Sequence, residues 1–61
     1  MKRNHLIKHL SKQGCELVRE GGRHSIWKNR KSGEMTAVPR HPEIKDLMAK
    51  KICHDLGIED P

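Results

Sequence analysis

The sequence predicts an α+β domain of order α-β-β-β-α, a three-stranded antiparallel sheet with two helices on one face. Three observations predict it. Apolar residues recur at helical spacing only towards the two ends of the chain. The apolar stretches between them are too short to be helices. Glycine or proline punctuates the junctions, at Gly14, Gly21-Gly22, Gly33, Pro39, Pro42 and Gly57.

The first helix runs from about Arg3 to Gln13, where Leu6, Ile7 and Leu10 share a face and Gly14 stands as the C-terminal stop. Three strand candidates follow. Cys15 to Glu20 carries Leu17 and Val18, Arg23 to Asn29 carries Ile26 and Trp27, and Glu34 to Val38 carries Met35, Thr36 and Val38. Gly21-Gly22 and Ser32-Gly33 fit the turns between antiparallel strands. Pro39 and Pro42 block further pairing and open the loop into the last helix. That helix spans about Asp46 to Leu56, with Ala49, Ile52, Cys53 and Leu56 at i, i+3, i+4 and i+7. Asp46 is placed to cap its start and Gly57 to end it. The simplest assembly is a meander with both helices on one side.

A chain of 61 residues gives one domain, residues 1–61. A body of this size buries only about 60% of its unfolded surface, and 33% hydrophobic residues agree with a thin core. A partner that binds the folded state would add stability. No run approaches the roughly 18 apolar residues of a membrane span, and no apolar signal core follows the charged N-terminus. The expectation is a soluble, cytoplasmic protein with no membrane association. Cys15 and Cys53 are too few for the disulfide scaffold of a secreted mini-protein, and read as reduced, partly buried thiols.

Charge narrows the function. Thirteen Lys and Arg against eight Asp and Glu leave +5 on a very small body, for which polyanions are the natural partner. Charge attracts without deciding between binding and cutting. The stretch from Gly21 to Lys28 bears on that choice, because it sets an imidazole in the basic surface. If Trp27 points into the core, Ser25 and Asn29 share its face, while His24, Ile26 and Lys28 face away. His24 then stands on the open sheet beside the Gly21-Gly22 turn; a slip of one residue would bury it. Spacing alone gives it no task.

Lys2, Arg3, Lys8 and Lys12 on the first helix, with Lys45, Lys50 and Lys51 on the last, offer a phosphate-tracking surface. His5 and His9 share a helical face suited to a metal, but no Cys-x-x-Cys spacing supports a metal site, and none is expected. Trp27 is the only aromatic and belongs to the core, so no stacking platform for single strands is expected.

Gly22-Arg23-His24 entering a strand, then Val38-Pro39-Arg40-His41-Pro42, Glu43-Ile44-Lys45 and a helix closing on Leu56-Gly57-Ile58 resemble the HicA toxins of bacterial and archaeal toxin–antitoxin pairs. The likeness runs in order over nearly the whole chain. It implies a fold like that of double-stranded-RNA-binding domains, endoribonuclease activity against messenger RNA, and neutralisation by a cognate HicB-like antitoxin. The family's catalytic histidine maps onto His24, with Gly21 and Gly22 as the motif glycines. Arg23 stands where Ser or Asn is common, and Ser25 where a second His is frequent.

The chemistry suits such a site. RNA carries its own nucleophile, the 2′-hydroxyl, so an enzyme need only move protons and neutralise the phosphate. An imidazole exchanges protons near neutrality, and cations such as Arg23 and Lys28 stabilise charge developing on phosphate. The scheme requires neither metal nor cofactor. His41 is the other acid–base candidate, held in its loop by Pro39 and Pro42. Two rival readings are a non-catalytic RNA-binding module of the same fold and an interaction subunit that grips an acidic partner protein.

Overall fold

The computed structural model describes Met1–Pro61. Helix α1 spans Arg3–Lys12, strands β1, β2 and β3 span Cys15–Glu20, His24–Asn29 and Met35–Pro39, and helix α2 spans Asp46–Asp55. The strands lie in the order β1-β2-β3 and both pairings are antiparallel. This is the predicted α+β arrangement, and no element boundary moves by more than a single residue. No helix is long and apolar enough to cross a membrane.

Glycine geometry explains the helix ends. Gly14 takes φ +89° just past the C-cap of α1, and Gly57 takes φ +68° just past that of α2. At Gly57 the exit is a Schellman turn: Ile58 N–H bonds Cys53 O at 3.0 Å and Gly57 N–H bonds His54 O at 3.0 Å. The start of α2 departs from expectation. Its N-cap is Lys45, without a side-chain capping bond, and Asp46 is the first helical residue. The Asp46 carboxylate is engaged by the Met1 ammonium at 3.2 Å, which also donates to Ile44 O at 2.7 Å. An acid at this place still complements the helix dipole.

One face of the sheet meets both helices. Leu6 and Leu10 from α1, Ala49, Ile52 and Cys53 from α2, and Cys15, Trp27, Val38, Ile44 and Leu56 form the core. Along β2 burial alternates as the sequence requires: Ser25, Trp27 and Asn29 are buried, His24 is exposed, and Ile26 and Lys28 are half-buried. The buried Asn29 ties β2 to the end of α2, donating to Leu56 O at 2.7 Å and accepting from Lys31 N–H at 2.9 Å. Trp27 Nε1 is buried without a hydrogen-bond partner.

Strand β1 contributes less to the core than its apolar content suggests. Leu17 and Val18 are 46% and 48% exposed, and Cys15 is the residue that packs inward. The pairing with β2 shifts register between Leu17 and Arg19, so Val18 bulges out of the ladder. Cys15 and Cys53 are free and buried, and burial pushes both thiols above their ordinary range. At the β3 edge of the sheet, Thr36 donates to Asp55 at 3.1 Å and Lys51 donates to the same carboxylate oxygen at 2.9 Å. The Lys51 and Thr36 hydrogen bonds hold the Asp55 carboxyl below its ordinary value.

Candidate active site

His24 opens β2, and the turn before it is built around the backbone of that residue. Gly21 N–H donates to His24 O at 2.8 Å, leaving Gly22-Arg23 as the connecting loop. A Cβ on Gly21 would lie 2.7 Å from that carbonyl oxygen, whereas one on Gly22 would meet nothing within 4 Å. Neither glycine has positive φ, so the demand at Gly21 is for space alone. Gly21→Ala is therefore expected to cost about 1–3 kcal/mol, as overpacking does. Gly22→Ala should stay within about 0.5 kcal/mol of wild type. Paired thermal melts check this, and equal losses would contradict it.

The register then decides what stands beside His24. His24 pairs with Pro39, so the end of β3 meets the start of β2. The chain beyond β3 is fastened to the turn: Arg40 N–H donates to Arg23 O at 3.1 Å, and Arg40 Nη1 donates to Gly21 O at 2.9 Å. These contacts shape an open hollow of about 480 Å³ lined by Gly22, Arg23, His24, Arg40 and His41. Two histidines and two arginines line this volume, with no acidic and no hydrophobic residue on its walls. Such a set is suited to holding a phosphate and moving protons around it.

Behind the hollow, the chain is braced from α1. Ser25 turns its hydroxyl to the buried face, accepts from Arg3 Nη2 at 2.8 Å and donates to the Glu20 carboxylate. Arg3 Nε also donates to Pro39 O at 2.7 Å. Arg3, expected on a phosphate-tracking surface, is instead a half-buried clamp on β2 and β3.

Among the other basic residues singled out in the sequence, Arg23 joins His24 at the hollow. Lys28 lies towards the far end of β2, with Nζ 3.7 Å from the Glu16 carboxylate. Lys50 and Lys51 are exposed on α2, in the helical layer behind the sheet, and Lys51 is paired with Asp55 at 2.9 Å. His9 Nε2 lies 2.8 Å from Glu59 O, and nowhere do three or more His, Cys, Asp or Glu side chains gather as a metal site. Arg40 is the lining residue that reading the sequence missed. Its signal was available in the meander itself, since the residue following β3 must emerge beside the one preceding β2.

A family model described as the HicA toxin of bacterial toxin-antitoxin matches residues 3–58 of the chain. No curated protein matches it, and no solved structure does.

Proposed function

Because this chain belongs to the HicA toxin family of toxin–antitoxin systems, we propose that residues 1–61 act as one metal-independent endoribonuclease domain. Its substrate is messenger RNA in the cytoplasm, and its catalytic acid–base group is His24. The observation that carries this reading is an exposed imidazole sharing a hollow with two guanidinium groups and no acid.

The reaction follows from those groups. His24 takes the proton of a ribose 2′-hydroxyl, the 2′-oxygen attacks the adjacent phosphorus, and the 5′-oxygen departs. The products are a 2′,3′-cyclic phosphate and a 5′-hydroxyl. Arg23 and Arg40 hold the non-bridging oxygens, and their hold tightens as negative charge builds in the transition state. Divalent cations such as Mg²⁺ take oxygen ligands, carboxylates above all. The walls of the hollow supply no carboxylate, which supports chemistry without a metal. Lys28, Lys50 and Lys51 belong to the wider positive field that gathers the RNA, an attraction that weakens with salt.

An antitoxin partner follows from the family; its HicB-like identity is part of the present proposal. An acidic segment laid over Arg23 and Arg40 would neutralise the hollow and close off His24 in one step.

The test is the chemistry of the cut ends. RNA incubated with the protein in excess chelator should be cleaved, leaving 2′,3′-cyclic phosphate and 5′-hydroxyl termini. Cleavage lost to the chelator, or 5′-phosphate termini, would overturn the mechanism. Salt-sensitive binding without cleavage would identify a non-catalytic RNA-binding module instead.

A further inference from the structure

Resting on that reading, we propose that His41 is a second catalytic residue, the general acid that protonates the departing 5′-oxygen. The case begins with how this loop is held. Pro39 and Pro42 fix φ on either side of Arg40-His41. Upstream, Arg40 is bonded through both its main-chain N–H and its guanidinium to the turn that carries His24. Downstream, Pro42 O accepts from Arg3 N–H at 2.8 Å, and Ile44 N–H donates to Met1 O at 2.8 Å. The backbone flanking His41 is thus anchored on both sides.

The ring it carries is exposed and engaged in no hydrogen bond or ion pair, and it lines the same hollow as His24. On its other side His41 borders a second, smaller depression shared with Glu43 and Lys45. Glu43 is also within 3.8 Å of the Met1 ammonium and 3.6 Å of Lys2 Nζ. A loop anchored on both sides, bringing a free imidazole to the hollow that a second imidazole also lines, is the arrangement that two-ended proton transfer needs.

The reaction itself has two ends. In an in-line displacement the attacking and leaving oxygens lie on opposite sides of phosphorus, so one ring cannot serve both at once. His24 accepts the proton from the 2′-oxygen as the bond from that oxygen to phosphorus forms. His41, entering protonated, gives its proton to the 5′-oxygen as the bond from phosphorus to that oxygen breaks. One proton has then passed from the 2′-hydroxyl to His24, and one from His41 to the 5′-oxygen of the leaving fragment. Exchange with water restores both rings. Arg23 and Arg40 hold the phosphate between them.

The experiment replaces the leaving atom. At a linkage that the wild-type protein cleaves, RNA with the ordinary 5′-oxygen is compared with RNA bearing a 5′-sulfur, whose thiolate departs without protonation. His41→Gln is expected to slow the oxygen substrate about 10²–10⁴-fold while leaving the sulfur substrate nearly as fast as with wild type. His24→Gln should slow both. Thermal melting of each variant confirms that the fold persists, as exposure of both rings leads us to expect. Equal loss on the two substrates for His41→Gln, or no loss on either, would overturn the role of His41 while leaving the nuclease reading intact. Wild-type protein inactive on every RNA would overturn both together.

Discussion

His24→Ala is expected to abolish growth arrest when the chain is expressed alone, and to slow RNA cleavage about 10²–10⁴-fold. The fold should be untouched. The ring is exposed and makes no side-chain hydrogen bond, and the bond that closes the turn runs from Gly21 N–H to the main-chain oxygen of residue 24, which alanine retains. RNA affinity should also survive, because Arg23 and Arg40 remain in place. The informative result is therefore a split: unchanged melting temperature, retained salt-dependent binding and lost cleavage. A variant as toxic as wild type would point to sequestration of RNA by binding. One that failed to bind at all would make His24 a phosphate contact.

The second large effect concerns stability. Leu6→Ala should cost about 2–5 kcal/mol, the range for emptying a fully buried leucine site. At roughly 0.05–0.15 kcal/mol per residue, a domain of this length holds only about 3–9 kcal/mol in total, so the two quantities are of the same order. Leu6 is wholly buried, and the core around it has few residues to relax into the space. Leu17→Ala provides the contrast: that residue is nearly half exposed and lies outside the core, and the loss should stay near 0.5 kcal/mol. Trp27 is the only aromatic and sits in the same core, so its emission reports denaturant unfolding without a label. Equal midpoint shifts for the two variants would contradict the described core.

Much of this architecture was legible in the sequence because the chain punctuates itself. Gly14 and Gly57 do end the helices, with the positive φ that other residues adopt only under strain. The orientation of β2 was readable because a single large apolar side chain, Trp27, fixes which face is inward; Ser25 and Asn29 follow it and His24 is turned out. What eluded the sequence depends on partners distant along the chain. Asp46 looks like a cap until the Met1 ammonium claims its carboxylate. Val18 looks like a regularly paired strand residue until the bulge in β1 is seen. Arg3 reads as one more surface cation, and its work as a clamp appears only when Pro39 O and Ser25 Oγ lie beside it.

The site shows the same division. Spacing could present His24 to solvent, but gave it no chemistry; the likeness to a toxin family supplied that expectation. Alternation groups Lys28 with His24, because the two share a face of the strand. The four-residue separation carries it to the Glu16 end instead, and Arg40 stands in the position nearer the imidazole. Alternation tells which side a residue faces, and only strand pairing tells which end of the sheet it serves.

The bulge at Val18 also bears on how these molecules behave in a crowd. A flat, regular outer strand is a template on which another chain can zip backbone to backbone. Here the rhythm of donors and acceptors along that border is interrupted midway, next to the charges of Arg19 and Glu20. At β1, where the side chains of Leu17 and Val18 are half bared, the regular edge on which such backbone pairing depends is therefore broken.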